Sequence, residues 1–188
     1  MPKVILITGT PGVGKSTIAS LLAKEIKGEL IPINQVINDK KLYTGYESEK
    51  KFKIVNLDAL CSEMEKIIAE SQHDVLIVEG HLSHYIEKAD IVIVLRTSPQ
   101  ILGERLKKRG YSPDKISENM EAEAIDLCTF EAFEIHKNKV NEIDNSEISP
   151  DEVIDLIGEV IKGNKKFKVG KIDFSEFLME TKNTNKLL

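Results

Sequence analysis

The chain has 188 residues, enough for one domain with a full hydrophobic core, and its 41% apolar and 30% charged residues are ordinary for a globular protein. A formal charge of −5 argues against a strongly nucleic-acid-binding surface, so direct RNA binding is expected to be weak or absent. This net charge still allows a local basic patch. No apolar run approaches the ~20 residues that span a bilayer. Cys61 and Cys128 lack metal-ligand spacing. We therefore expect a soluble cytoplasmic protein with two unreactive, half-buried thiols and no membrane association.

Strand-like and helix-like segments alternate along the chain, which predicts an α/β fold with a parallel sheet. The expected strands are 4–7, 30–33, 75–78, 91–95 and 141–143. The expected helices are 16–26, 57–70, 99–108, 114–139 and 150–161. Pro32 limits the second strand to an edge or an end of the sheet. Pro99 and the sequence from Ser149 to Glu152 are typical of helix N-termini.

Two segments do not fit the alternating pattern. Residues 34–56 are polar with weak periodicity, which favours a mobile subdomain rather than a sheet. The tail after Gly163 has no evident place in a sheet, so that it either folds back on the domain or stays disordered.

A phosphate-binding motif lies between the first strand and the first helix. Gly9, Gly14, Lys15 and Ser16 satisfy the pattern Gly-x4-Gly-Lys-Ser/Thr. Glycines let backbone N–H groups turn toward an anion, and the helix that follows adds its positive end. Lys15 can reach the β- and γ-phosphates, and the Ser16 hydroxyl can bind Mg²⁺. The alternative is a glycine-rich turn without a ligand, but a buried strand before the motif and a helix after it favour triphosphate binding. The residues expected to hold the nucleotide here are Gly12, Val13, Gly14, Lys15, Ser16 and Thr17.

Glu79 and His81 follow the strand at 75–78. Ligands of open α/β sheets bind at the carboxyl ends of strands, so both side chains are expected to face the phosphates. Glu79 would share the Mg²⁺ site with Ser16, unless it faces solvent. His81 would orient an attacking water or the phosphoryl acceptor, or else bind a backbone carbonyl.

Arginines commonly neutralise the charge of a transferring phosphoryl group, and this chain has only Arg96, Arg105 and Arg109. Arg105 and Arg109 are four residues apart, which places them on one helical face, pointing toward the same site. The alternative is a solvated basic face. Arg96 ends a central strand and would contact phosphate or brace a loop.

With these residues in place, the sequence resembles the nucleoside monophosphate kinases, and more narrowly the archaeal type of the adenylate kinase isoenzyme 6 family. The resemblance runs from residue 3 to about residue 161. The segments that carry it are the 9–17 loop, Leu42-Tyr43-Thr44-Gly45-Tyr46-Glu47, Val78-Glu79-Gly80-His81, Val94-Leu95-Arg96-Thr97, and Glu104-Arg105-Leu106-Lys107-Lys108-Arg109-Gly110-Tyr111. Where this family usually has Asp, the chain has Glu79, whose extra methylene could shift a water-mediated Mg²⁺ contact.

The resemblance implies a three-layer P-loop fold with a five-stranded parallel sheet. It implies a kinase domain over 1–163, with an AMP-binding insertion at 34–57 and a short lid at 108–118, followed by a tail over 164–188 without an assigned role. It places Asn145 in the loop beneath the adenine, adds Arg109 to the nucleotide contacts, and implies a functional role for His81. Lys15, His81, Arg105 and Arg109 are then the expected catalytic residues.

Three functions follow from these expectations. The first is transfer of the γ-phosphoryl group of MgATP to AMP, with intrinsic ATPase activity. The second is that of an ATPase assembly factor: the resemblance links the family to small ribosomal subunit maturation and implies a platform ribosomal protein of the small subunit as partner. The third and weakest is a kinase for a small metabolite such as shikimate, or for a nucleoside.

Overall fold

Five parallel strands form the central sheet of the computed structural model, which describes residues 1–47 and 52–179. In chain order the strands of this sheet are β1 (Lys3–Thr8), β2 (Glu29–Pro32), β5 (Val75–Glu79), β6 (Ile91–Arg96) and β7 (Val140–Asp144). Their spatial order is β2-β5-β1-β6-β7. The prediction of a five-stranded parallel sheet is confirmed, and the strand that contains Pro32 lies at an edge, as a missing N–H requires.

Helices cover both faces of the sheet. They are α1 (Lys15–Glu25), α2 (Ile33–Asp39), α3 (Leu57–Glu70), α4 (Pro99–Lys108), α5 (Pro113–Ala124), α6 (Leu127–His136) and α7 (Pro150–Ile161). Short 3-10 turns lie at Ser83–Tyr85 and Lys137–Lys139. Successive side chains of β1 and β6 point to opposite faces of the sheet, and helices cover both faces. The two strands therefore contribute to two apolar cores, one on each face. The arrangement is the three-layer P-loop fold that the sequence predicts.

Local sequence accounts for several helix ends. The Ser149 side chain accepts from the Glu152 N–H while the Glu152 carboxylate accepts from the Ser149 N–H, a reciprocal capping box at the start of α7. Pro99 occupies the first turn of α4. The apolar stripe of α7 is buried against the core that contains α1.

The single helix expected over 114–139 is wrong: the segment forms α5 and α6, separated at Ile125 and Asp126. Asp126 adopts a left-handed conformation with φ of 57°, and its carboxylate pairs with Arg96. A tertiary ion pair therefore overrides the helical periodicity that runs through the segment.

The expectation that residues 34–56 avoid sheet structure is also wrong. The segment completes α2 and then forms an antiparallel hairpin of β3 (Tyr43–Glu47) and β4 (Phe52–Val55). The Asn56 N–H donates to the Leu42 carbonyl at 3.0 Å and closes the base of this hairpin. Residues 48–51 lie outside the described part of the chain. The hairpin is a two-stranded sheet of its own, which explains why the polar sequence lacked a core-facing pattern.

The tail follows the fold-back alternative over residues 164–179. The Glu142 N–H donates to the Phe167 carbonyl at 3.2 Å, and the Gly170 N–H donates to the Glu142 carboxylate at 3.0 Å. Farther along, the Phe174 ring lies 5.2 Å from the Arg96 guanidinium carbon. The tail thus runs beside the edge strand β7. Within the described residues, no helix is both long and apolar enough to cross a membrane.

Candidate active site

The phosphate loop connects β1 to α1 and is shaped by glycines with positive φ. The φ angle is 100° at Gly12 and 105° at Gly14, where α1 begins. A Cβ added to Gly12 would lie only 2.7 Å from the Leu102 side chain and 2.8 Å from that of Leu106. The loop therefore packs directly on α4, and this close approach requires glycine.

Lys15 is buried in the loop at the first position of α1. Its Nζ donates to the carbonyls of Gly9 at 2.8 Å and Thr10 at 3.0 Å. Burial lowers the pKa of Lys15 to about 8, although the carboxylates of Glu79 and Glu123 oppose this decrease. A buried cation beside the N-terminus of a helix is the chemistry that a triphosphate requires.

Ser16 and Glu79 meet at the carboxyl ends of the strands. The Ser16 hydroxyl donates to the Glu79 carboxylate at 3.1 Å, and Glu79 is the buried last residue of β5. Hydroxyl and carboxylate oxygens suit Mg²⁺, which takes few protein ligands when it also binds phosphates. The described residues include no group of three or more His, Cys, Asp or Glu that could hold a metal ion by itself. The pair fits the Mg²⁺ site that the sequence predicts, despite the longer side chain of Glu79.

A cavity of about 220 Å³ lies on the other side of the phosphate loop. Its lining includes Gly12, Val13, Gly14, Thr17, Arg105, Arg109 and Asn145. The Asn145 amide donates to the Val13 carbonyl at 2.6 Å, and Arg105 Nη1 lies 3.3 Å from Asn145 Oδ1 and 3.4 Å from the Val13 carbonyl. Arg105 on α4 and Arg109 at the C-terminus of this helix therefore line one cavity, as their four-residue spacing predicts.

The electrostatics of this cavity favour an anion. Burial and the positive charge of Arg109 lower the pKa of Arg105, with Asp144 opposing. Two guanidinium groups that line one cavity repel each other, and a bound phosphate would relieve that repulsion.

His81 lies two residues beyond Glu79, and its side chain is exposed. Burial by neighbouring protein atoms, then the charges of Lys15 and His84, lower the pKa of His81 to about 4. The ring is neutral near pH 7 and lies close enough to Lys15 for the lysine charge to lower the pKa of His81.

Sequence reasoning assigned no cluster to His84, yet His84 is the centre of one. It is buried, with Nδ1 2.8 Å from the Thr8 hydroxyl and Nε2 3.1 Å from the Glu131 carboxylate. Its backbone carbonyl lies 2.8 Å from Nε2 of His136. Burial, then the charges of His136 and Lys15, lower the pKa of His84 to about 4. A neutral ring then donates from Nε2 to Glu131 and accepts from Thr8.

Arg96 braces the fold, the second of its two predicted alternatives. It is fully buried and pairs with the carboxylates of Glu123, Asp126 and Glu142. Glu123 also accepts from the Thr10 hydroxyl and from the Thr97 N–H, the latter at 3.1 Å. The end of α5 is thereby tied to the phosphate loop. No sequence spacing connects Glu123 or Glu142 with Arg96, so only the fold brings them together.

The chain matches the family model described as "AAA domain" over residues 5–126, more than half its length. It is 41% identical to a protein named "Putative adenylate kinase" from Methanothermobacter thermautotrophicus, a match over 94% of this chain and 99% of the relative. A protein of the same name from Methanocaldococcus jannaschii is 38% identical, over 92% of this chain and 93% of the relative.

Among solved structures, the chain is similar to shikimate kinase from Acinetobacter baumannii in complex with shikimate. That match has a TM-score of 0.63 at 14% identity and covers 88% of this chain and 96% of the other. Shikimate kinase from Bacteroides thetaiotaomicron matches with a TM-score of 0.60 at 16% identity, over 85% and 98%. At such identities the likeness shows the fold alone. The sequence relatives show the family. The chain belongs to the family of archaeal P-loop proteins that carry the name "Putative adenylate kinase", and it is an enzyme of the nucleotide kinase type.

Proposed function

We propose that the protein is an adenylate kinase that transfers the γ-phosphoryl group of MgATP to AMP and yields two ADP. The observation that carries this proposal is the meeting of three features at one edge of the sheet. These are the loop with buried Lys15, the Ser16–Glu79 oxygen pair, and the cavity that Arg105 and Arg109 line.

In this proposal ATP lies across the phosphate loop. The backbone from Gly12 to Thr17 binds the phosphates, and Asn145 and Arg109 border the base. Mg²⁺, held by Ser16 and Glu79, would neutralise phosphate charge when bound. Lys15, Arg105 and Arg109 stabilise charge on the transferring group.

The acceptor would bind on the side formed by residues 34–57. This region adjoins the Mg²⁺ site, because α2 begins beside the turn after Glu79: a Cβ on Gly80 would lie 3.2 Å from the Cβ of Ile33. An acceptor between α2 and the hairpin would therefore present its phosphate near Glu79 and His81. The segment at 108–118, which follows α4, would act as the lid that excludes water.

A coupled assay of ADP formation tests this proposal. With ATP and AMP together, ADP should form well above the rate with ATP alone, and CMP, dAMP and dCMP should be compared as acceptors. A rate with every monophosphate no greater than with ATP alone would contradict the kinase proposal.

A second candidate is an ATPase that drives an assembly step on a protein partner, with a role in small ribosomal subunit maturation. Three observations favour it. Neutral His81 near Lys15 is suited to orient water. Five large apolar side chains are exposed on and just before α6, a surface of the kind that partners cover: Ile125, Leu127, Phe130, Phe133 and Ile135. The net charge of −5 would suit a basic ribosomal protein.

A pull-down with a small-subunit platform ribosomal protein in ATP and in ADP tests the second candidate. Nucleotide-dependent capture that weakens in Phe130→Ser supports it. Capture that is absent, or equal in both nucleotides, contradicts it.

A third candidate, a kinase of a small metabolite or nucleoside, rests on the shikimate kinase fold. A thermal-shift panel of acceptors tests it, because a ligand at 100 times its dissociation constant stabilises the fold by about 2.7 kcal/mol. Stabilisation by AMP without any by shikimate or nucleosides would count against it.

A further inference from the structure

We propose that the tail forms a binding surface for a single-stranded polynucleotide, separate from the nucleotide site. This basic surface consists of Lys139, Lys165, Lys166, Lys168 and Lys171, which line two adjoining cavities. Neither cavity shares a lining residue with the cavity beside the phosphate loop.

The charge of the chain is unevenly distributed. Residues 162–171 include five lysines and no acidic residue, whereas the whole chain has a formal charge of −5. The remaining 178 residues therefore carry −10, since −5 minus 5 is −10. The overall acidity conceals a strongly basic segment, so net charge alone does not argue against an anionic ligand here.

The fold concentrates these lysines instead of dispersing them. Lys139, just before β7, lines a cavity of about 390 Å³ together with Lys165 and Lys166. Lys166 also lines a second cavity of about 500 Å³ with Lys168 and Lys171. Because Lys166 is common to both, the two cavities form one basic path that begins at the amino end of the sheet and continues beside β7.

Within the described residues, no ion pair joins a carboxylate to a lysine of this path, although Lys165 lies near enough to Glu159 to lower the pKa of that carboxyl. Nζ of Lys139 donates to the Ala89 carbonyl at 2.7 Å, Lys166 donates to the Asn138 carbonyl, and Lys165 Nζ lies 4.5 Å from the centre of the Phe167 ring. None of these contacts is with a carboxylate. Burial lowers the pKa of Lys166, the direction expected of a cation without a counter-ion.

The acidic residues that line the two cavities are engaged elsewhere. The Asp90 carboxylate accepts from the Val4 N–H at 2.8 Å, and that of Asp144 accepts from the Ser146 N–H at 2.9 Å. Glu142 pairs with buried Arg96 and accepts from the Gly170 N–H. Five lysines thus line the two cavities with three carboxylates, of which Glu142 is paired with an arginine, so the lining keeps a positive balance.

The shape and composition of the path favour a polynucleotide strand. Five lysines across two cavities exceed what one phosphate can engage, whereas a strand presents a phosphate at every nucleotide. A membrane surface is less suited, because the apolar residues of the segment, Phe167 and Val169, are half-buried against the two cores and cannot insert into lipid.

Fluorescence anisotropy of the full chain with labelled 20-nucleotide poly(U) and poly(dT), in the absence of ATP, tests this inference. The test variant is Lys165→Gln with Lys166→Gln, Lys168→Gln and Lys171→Gln. The matched control removes the same number of charges from exposed lysines elsewhere in the chain: Lys24→Gln with Lys27→Gln, Lys66→Gln and Lys107→Gln.

We expect the test variant to bind at least tenfold more weakly than the unmodified chain, with the control close to unmodified. The slope of log affinity against log salt should fall by about 3 in the test variant, since each lost contact with a single strand removes about 0.7. Kinase activity should be unchanged in both variants, which separates this inference from the proposed function.

Several results would overturn the inference. One is no binding of either polynucleotide by the unmodified chain at low salt. Another is an equal loss in the control variant, which would indicate a net-charge effect. A third is equal or tighter binding of poly-glutamate or of vesicles that contain phosphatidylserine, which would assign the surface to acidic proteins or to membranes.

Discussion

Lys15 lies against the carbonyls of its own loop, and burial lowers its pKa. A lysine buried in this way, beside the N–H groups that begin α1, is held where a phosphate would meet both. Its charge is then available to a transferring phosphoryl group without reorganisation of the surrounding protein.

Lys15→Ala is expected to lower turnover by at least ~100-fold, the effect of removing one pre-positioned donor to a developing charge. Lys24→Ala, an exposed lysine on the same helix, is the control and should keep full activity. Initial rates of ADP formation check both. Full activity in Lys15→Ala would contradict the assignment of the phosphate loop.

His81→Ala separates two roles for the neutral imidazole. If His81 orients water, ATP hydrolysis without AMP should fall several-fold more than phosphoryl transfer to AMP. Rates of phosphate release and of ADP formation in one preparation measure the two reactions. Equal losses would assign His81 a structural role instead.

At the scale of elements, the phosphate loop and α4 form one packed unit. Gly12 has φ of 100° and lies against Leu102 and Leu106, while Arg105 of the same helix reaches the Val13 carbonyl. A change in the loop backbone would therefore move α4 and the arginine that it carries.

Gly12→Ala should destabilise the protein by about 1–3 kcal/mol, because φ of 100° strains a residue with a Cβ and that Cβ meets α4. ATP affinity should fall at least tenfold. The matched control is Gly158→Ala in the interior of α7, where an added Cβ meets no atom within 4 Å. The control should be stabilised by up to about 1 kcal/mol. Urea unfolding and ATP titration measure these effects, and equal stabilities for the two variants would contradict the packing account.

The elements show what sequence periodicity can predict. The buried strands and α7 follow from apolar runs and from a capping box, signals that lie within a few residues. The break between α5 and α6 could not be predicted, because it depends on Asp126 meeting Arg96, thirty positions away. The sequence does not predict the β3–β4 hairpin for another reason: the hairpin forms a two-stranded sheet apart from the main sheet, so it lacks the apolar runs of the central strands.

At the scale of the whole molecule, the candidate site combines local and distant residues. The motif at 9–16 and the spacing of Arg105 and Arg109 could be read from the sequence. The His84–Glu131 contact and the links from Glu123 to Thr10 and Arg96 could not, because each joins segments that meet only after folding. Such long-range contacts set how rigidly the site is held.

Acid stability tests one of these contacts. Burial keeps His84 neutral to about pH 4, whereas an unfolded histidine takes up a proton near pH 6.5. The unfolded state therefore binds more protons in this range, so the free energy of unfolding should fall as the pH decreases from 6.5 to 4. The contribution of His84 is about 3 kcal/mol.

His84→Gln removes this titration while an amide can still donate toward Glu131, so its stability should depend less steeply on pH in the same range. Urea unfolding at several pH values between 4 and 7 provides the comparison. Parallel curves for the variant and the unmodified protein would show that His84 is not held neutral.

The fate of a labelled phosphoryl group distinguishes transfer to AMP from hydrolysis. ATP with a ³²P γ-phosphate is incubated with the protein, Mg²⁺ and AMP, and the products are separated. If the protein is an adenylate kinase, label appears chiefly in ADP, depends on AMP, and is absent with Lys15→Ala. Label that appears only as inorganic phosphate, whether or not AMP is present, would contradict this function.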